Sequence, residues 1–228
     1  MVHIHPKRCY GQNFLVNKGA VERIVDVISG YGPSHVLEIG PGRGEITIPL
    51  SFRVPRITAV EIDPELSRIL RDKIEDLKIE NIHLVQGDFL AIDILPLTPK
   101  GTLVMGNLPY RVSTPILQRV EKVRDNLMRA VFMLQKEVAE RISASPGSKA
   151  YGSLSVLIQY NARVRVLMRL KRGSFWPTPQ VDSAIVEIDY QRPYPIRVKN
   201  EELFRDLVKG IFFYRRKTLL NSLRYLFG

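Results

Sequence analysis

The sequence predicts an α/β fold: a mostly parallel, doubly wound sheet with a short basic helical appendage at its C-terminal end. Three observations point there. Short apolar runs alternate with helix-patterned segments as far as Ser143, the first of those runs ends in a glycine-rich turn, and a proline-bearing stretch, Gln191 to Pro195, precedes a basic helical end. The division expected is residues 1–190 as the main domain and residues 191–228 as the appendage.

Taken in order, Ala20 to Ile28 places Val21, Ile24, Val25 and Ile28 at helical spacing and stops at Gly30, Gly32 and Pro33. His35 to Ile39 reads as a strand, Ile46 to Phe52 as a helix and Ile57 to Ile62 as a second strand. Pro64 to Leu77 reads as a helix with Asp63 as N-cap and Pro64 at its first position. Ile82 to Val85 and Thr102 to Met105 are further strands, Ser113 to Val123 is a helix, and Ala130 to Leu134 is a strand running into a helix from Lys136. This alternation is the signature of βαβ units with helices on both faces of the sheet. After a loop at Ser145 to Ser148 the pattern changes. Leu154 to Tyr160 forms a helix, Arg163 to Leu170 alternates basic and apolar residues, and Val181 to Ile188 is its partner strand.

Composition bounds the function. The chain has 228 residues, 45% of them hydrophobic and 25% charged, the balance of a globular protein with a real core. A single cysteine, Cys9, excludes an internal disulfide framework and a cysteine-clustered zinc site. Four scattered histidines show no metal-ligand spacing, so no metal is expected. There is no apolar run near the ~20 residues that span a bilayer, and Met1 to Tyr10 lacks a signal-peptide core, so a cytoplasmic location is expected. The net charge of +11 favours a polyanionic partner, a solvated basic surface or an anionic membrane being the alternatives. Clustering favours nucleic acid: Arg163, Arg165, Arg169, Lys171 and Arg172 fall within ten residues with no acid among them, and Arg215, Arg216 and Lys217 follow in the tail.

The chemistry sits in loops at strand ends. The first strand runs into Glu38-Ile39-Gly40-Pro41-Gly42-Arg43-Gly44, where an open α/β sheet takes a nucleotide-like ligand. Its Gly-x-Gly-x-Gly spacing differs from the pyrophosphate-binding G-x-G-x-x-G. Glu61 ends the second strand, placed to accept hydrogen bonds from ribose hydroxyls, and Asp88 follows the third strand, placed for an adenine amine. A glycine loop followed by these two acids suits an adenosine without phosphates, S-adenosylmethionine before a dinucleotide. The fourth strand ends in Asn107-Leu108-Pro109-Tyr110. An exocyclic amine on an aromatic ring is a poor nucleophile because its lone pair is delocalised. The Asn107 carboxamide oxygen and the Leu108 carbonyl can accept its two protons and favour a tetrahedral nitrogen, Pro109 aims the loop, and Tyr110 offers a stacking face.

With these residues in place the sequence resembles the ribosomal RNA adenine dimethyltransferases, which modify two adjacent adenosines near the 3′ end of small-subunit ribosomal RNA. The likeness runs in order through Gly11 to Leu15, Glu38 to Gly44, Val60 to Asp63, Gly87 to Leu90, Asn107 to Tyr110, Gln135 to Arg141, Tyr151 to Ser155, Phe175 to Ser183 and Arg215 to Thr218. It implies a Rossmann-like class I methyltransferase fold and S-adenosyl-L-methionine as cofactor. Gln12, Asn13 and Leu15 would cover that cofactor, Gly40, Ile62, Phe89 and Asn107 would lie beside it, Glu61 would hold its ribose and Asp88 its adenine amine. Asn107, Leu108, Pro109 and Tyr110 would hold a flipped target base, with Phe175 stacking on its other face. The implied partner is small-subunit ribosomal RNA within a pre-assembled subunit, bound by a monomer. Two features depart from the family pattern: Asn17 replaces a common aspartate, and the appendage reads as reduced. A large-subunit adenine methyltransferase of the antibiotic-resistance type and a non-catalytic RNA-binding assembly or transcription factor are the rival readings. DNA adenine and protein glutamine methyltransferases use a related Asn-Pro-Pro-Tyr loop, and Leu108 argues against both.

Overall fold

The computed structural model describes residues 6–213 and 218–227. Its strands are β1 (Phe14–Leu15), β2 (His35–Ile39), β3 (Ile57–Glu61), β4 (Ile82–Gln86), β5 (Thr102–Asn107), β6 (Leu127–Gln135), β7 (Arg163–Leu170), β8 (Phe175–Trp176) and β9 (Ser183–Asp189). Its helices are α1 (Lys18–Gly30), α2 (Thr47–Ser51), α3 (Pro64–Asp76), α4 (Ser113–Glu121), α5 (Lys136–Ile142), α6 (Ser153–Asn161), α7 (Glu201–Phe213) and α8 (Leu219–Phe227).

Seven strands form one sheet in the order β4-β3-β2-β5-β6-β9-β7. The first five pair in parallel, as the βαβ rhythm predicts, and β9 lies antiparallel between β6 and β7. Strands β2, β3 and nearly all of β5 are buried on both faces, which is why they read as continuous apolar runs. Side chains alternate between two cores. Val36, Met105, Val131 and Ile185 pack with Ile24, Ile28 and Leu50 of α1 and α2, while Leu37, Val104, Phe132 and Val186 pack with Ile116, Val120 and Ile158 of α4 and α6. His35 is buried between its neighbours, with one ring nitrogen 3.0 Å from the Thr102 hydroxyl and the other 2.9 Å from that of Thr58.

Helix α3 starts as its sequence dictates: the Asp63 side chain accepts from the Glu65 amide at 3.0 Å, and Pro64 takes the first turn, where no N–H is needed. Helix α7 is tied to the sheet domain through Tyr160. That ring lies 4.7 Å from Phe204 and under the Arg197 guanidinium at 4.0 Å, and its hydroxyl accepts from the Val198 amide at 2.9 Å. Arg124 closes the same junction on Glu201 at 2.6 Å.

One pairing and one irregularity escaped the sequence reading. The two-residue strands β1 and β8 form a small antiparallel sheet of their own, Phe14 opposite Trp176 and Leu15 opposite Phe175. An irregularity in β7 between Val166 and Met168 then reverses the side-chain alternation. Arg163 and Arg165 share one face of the sheet, whereas Arg169, four residues on, falls opposite Ala184 on the other.

Candidate functional site

The register of the parallel strands decides where the site lies. Ile39 of β2 is opposite both Val60 of β3 and Gly106 of β5, so the glycine turn, Glu61 and Asn107 emerge along one carboxyl edge. The strand order turns back there, with β3 on one side of β2 and β5 on the other, and the crevice opens between them. A cavity of about 370 Å³ is lined by Gly40, Ile62, Asp88, Phe89 and Pro109, among others. A smaller adjoining space is walled by Gln12, Asn13, Phe14, Leu15, Glu38, Glu61, Asn107, Leu108 and Tyr110.

Gly40 is required by geometry: its φ is +67°, and the space where a side chain would stand is open. That opening is where a ligand can approach the backbone. Glu61 is buried, and burial raises its carboxyl, opposed by backbone amides that donate to it. Gly42 N–H donates to one oxygen and Asp63 N–H to the other, both at 2.9 Å, which fixes the carboxylate at the cavity wall. Asp88 accepts from the Leu90 amide at 2.8 Å through Oδ1 and stands exposed at the far end of the larger cavity.

The Asn107 amide is oriented by chemistry. Its Nδ2 donates to the Asn13 backbone carbonyl at 2.6 Å, and a carbonyl can only accept, so Oδ1 is the free end. Neither that oxygen nor the Leu108 carbonyl accepts a hydrogen bond from any described residue. Leu108 itself is held by its N–H on the Met133 carbonyl at 3.1 Å, with its side chain in the core. Tyr110 is fixed by a 2.8 Å bond between its hydroxyl and that of Ser183, and burial raises its phenol.

Glu38 is the site residue the sequence reading did not single out. It quotes as part of the glycine motif, but only the fold shows a carboxyl buried to 3% exposure, with Oε2 lacking a partner among the described residues. Burial, with the charges of Glu61 and Glu45, pushes it up to about 7.

Gln12 is held mainly by another carboxylate. Its Nε2 donates to Asp63 at 2.8 Å and its Oε1 accepts from the Lys7 amide at 2.8 Å, while Lys7 Nζ reaches Asp63 at 2.7 Å and Glu65 at 2.9 Å. This network fastens residues 7–15 across the cavity. Asn13 and Leu15 are thereby brought to its wall.

Two expectations change. Phe175 does not reach the cavity wall. Alternation in β8 turns it inward to 2% exposure, packed in the α1 core, and turns Trp176 outward instead. Arg165 is not a free cation, since it donates to the fully buried Glu187 at 2.6 Å, a carboxylate it shares with Arg129 at 3.0 Å. Arg163, Arg169, Lys171 and Arg172 remain exposed, with no ion pair among the described residues. Arg215, Arg216 and Lys217 lie outside the described residues. No cluster of His, Cys, Asp and Glu suited to a metal ion occurs among the described residues.

The residues present fit S-adenosylmethionine. An open glycine edge admits a ligand, apolar Ile62 and Phe89 flank a ring-sized space, Glu61 and Asp88 offer acceptors, and the unpartnered Glu38 carboxyl suits a cation.

Comparison with known proteins extends the likeness to the whole chain. The family described as ribosomal RNA adenine dimethylase matches residues 4–228. The ribosomal RNA small subunit methyltransferase A of Geobacter metallireducens is 42% identical over 226 residues, covering 97% of this chain and 81% of that protein. The protein of the same name from Geobacillus thermodenitrificans is 38% identical, covering 95% and 75%. Among solved structures, a dimethyladenosine transferase from Plasmodium falciparum superposes with a TM-score of 0.79 at 27% identity, over 92% of this chain and 74% of that one. The 23S rRNA methyltransferase ErmE superposes with a TM-score of 0.78 at 26% identity, over 93% and 84%. A match that takes in the strap, the glycine turn, the acceptor loop and both ends of the sheet leaves one assignment: this chain belongs to the ribosomal RNA adenine dimethylase family.

Proposed function

We propose that the free acceptors Asn107 Oδ1 and Leu108 O form the target-amine site of an enzyme that dimethylates two adjacent adenosines near the 3′ end of small-subunit ribosomal RNA. The chain is an S-adenosylmethionine-dependent ribosomal RNA adenine dimethyltransferase. The relatives named above at 38–42% identity carry small-subunit names, and they support that subunit over the large one. The fold does not discriminate, since a 23S methyltransferase superposes as well as a dimethyladenosine transferase.

The cofactor supplies a methyl group on a sulfonium, activated toward displacement. This chain supplies position. Glu61 would accept from the ribose hydroxyls, Asp88 from the adenine amine, and Glu38, in the same lining as Glu61, would offset the positive charge. Asn107 Oδ1 and the Leu108 carbonyl would accept hydrogen bonds from the N6–H groups of the adenosine, so its lone pair is drawn out of ring conjugation and toward the donor. Tyr110, anchored on Ser183, gives the base a stacking surface. Reach into a walled cavity requires the adenosine to leave its stack, and fixed orientation of amine and donor contributes most of the rate. The exposed cations Arg163, Arg169, Lys171 and Arg172 attract phosphates, and residues 191–228 act as a separate appendage held through Tyr160.

Methyl transfer from labelled S-adenosylmethionine to undermethylated small subunits, large subunits, naked RNA and DNA tests this. Small-subunit label recovered as N6,N6-dimethyladenosine is expected; label confined to large subunits or DNA overturns it.

A further inference from the structure

Outside the cavity the feature with least structural justification is Trp176. It is 44% exposed, although tryptophan carries more apolar surface than any other side chain and normally buries it. Its ring is not loose. The ladder between β1 and β8 sets it opposite Phe14, and the two rings stack with centroids 6.3 Å apart and planes 22° from parallel. Phe14 is a wall residue of the cavity that holds Asn107 and Tyr110, so the free face of Trp176 stands one ring layer from that wall.

Arg43, paired with Glu45 at 2.6 Å, lies 4.6 Å from the centre of the Phe14 ring. A separate groove is lined by Arg23, Arg169, Lys171 and Ser174, and the Ser174 carbonyl, two residues before Trp176, is held by the Val16 amide at 2.9 Å. A cationic groove, an exposed oriented indole and a base-sized cavity are thus linked through residues 14–16 and 174–176. Proteins that hold single-stranded nucleic acid combine these same parts, with charge tracking the backbone and aromatic rings taking the bases.

We propose that the exposed face of Trp176 is a stacking subsite for the RNA base next to the target adenosine, with the strand's phosphates following the Arg23–Arg169–Lys171 groove. The inference rests on the cavity being the adenosine site. It gives the enzyme a grip on the neighbouring nucleotide while one adenosine is flipped, and makes Trp176 a positioning residue.

Trp176 is the only tryptophan in the chain, so its own emission reports the contact. A short single-stranded RNA with two adjacent adenosines, its binding followed separately by anisotropy of an end label, is expected to quench that emission as it saturates. Trp176→Leu should bind this RNA about 5- to 150-fold more weakly, raise KM for small subunits more than it lowers kcat, and keep wild-type cofactor affinity and unfolding midpoint. Trp176→Phe should recover most of the loss. Bound RNA with unchanged emission, no binding of this RNA by the wild type, or a leucine variant equal to wild type in affinity and KM overturns the subsite. Wild-type methylation of small subunits in the same series separates the two readings. If it is absent, the proposed activity fails; if it is present and the leucine variant is unaffected, only the subsite fails.

Discussion

Asn107 and Asn13, 94 positions apart, are joined by a 2.6 Å hydrogen bond from the Asn107 side chain to the Asn13 backbone carbonyl. The bond couples the acceptor loop to the strap across the cavity and turns Asn107 Oδ1 toward the space where an amine would stand. Replacing Asn107 by alanine removes both functions but leaves the basic edge intact. If the acceptor acts mainly in the transition state, single-turnover methyl transfer should fall ~100-fold or more, by analogy with the loss of one preorganised oxyanion-hole donor. RNA and cofactor affinity should change much less. A near-normal single-turnover rate would refute the role given to Asn107.

Glu38 should make cofactor binding depend on pH. Burial lifts its carboxyl from 4.5 to about 7. The unfolded chain therefore ionises first, and this group's contribution to stability is present at low pH and lost as pH rises from 4.5 toward 7. A cationic ligand favours the ionised form, so affinity for S-adenosylmethionine should rise from pH 6 to pH 8, by at most about tenfold per pH unit below the carboxyl's pKa. Calorimetry in buffers of different ionisation enthalpy should show proton release near pH 6, and Glu38→Gln should flatten the profile. Equal pH dependence in that variant would assign the proton elsewhere.

The strap is held by charge. Burial alone would raise the Asp63 carboxyl, but Lys7, Gln12 and the Glu65 amide outweigh it and the net shift is downward. The fastening is therefore complete at neutral pH and is lost as pH falls through that lowered value. Asp63→Asn keeps the helix cap, since asparagine caps as well as aspartate, and removes the charge. Cofactor release measured by stopped flow should quicken about two- to fivefold, the scale of a partly exposed ion pair. The same acceleration should appear in the wild type at high salt. No change in release rate would mean the strap stays closed without this pair.

The exposed cations of the basic edge and the paired Arg165 are expected to behave differently. Replacing Arg169, Lys171 and Arg172 together by alanine should lower the log–log salt slope of RNA binding by about two, at ~0.7 per single-stranded phosphate contact. Arg165→Ala should leave the slope nearly unchanged and lower the unfolding midpoint, because the buried Glu187 loses one of its two guanidinium partners. The reverse pattern would restore Arg165 to the RNA surface and place the other three in the fold.

What the sequence by itself determined is local. Apolar runs bounded by glycine, proline and capping residues specify β2 to β6 and α1 to α4, because each depends on neighbours within a turn or a strand. A parallel sheet then carries its loop chemistry to one edge, so Gly40, Glu61, Asp88 and Asn107 were legible as a set. The helices α5 and α6 and the pairing of β7 with β9 were legible in the same way. Tertiary structure decided that β9 also pairs with β6, and that β1 meets β8 across 160 residues. One irregularity in β7 sends Arg169 to the opposite face from Arg165, which alternation cannot foresee. Phe175 departs from its expected place because, in a strand, which of two neighbours is buried is set by the partner's register. The lifted carboxyl of Glu38 and the aimed amide of Asn107 exist only once the chain has removed water from one and set Asn13 beside the other.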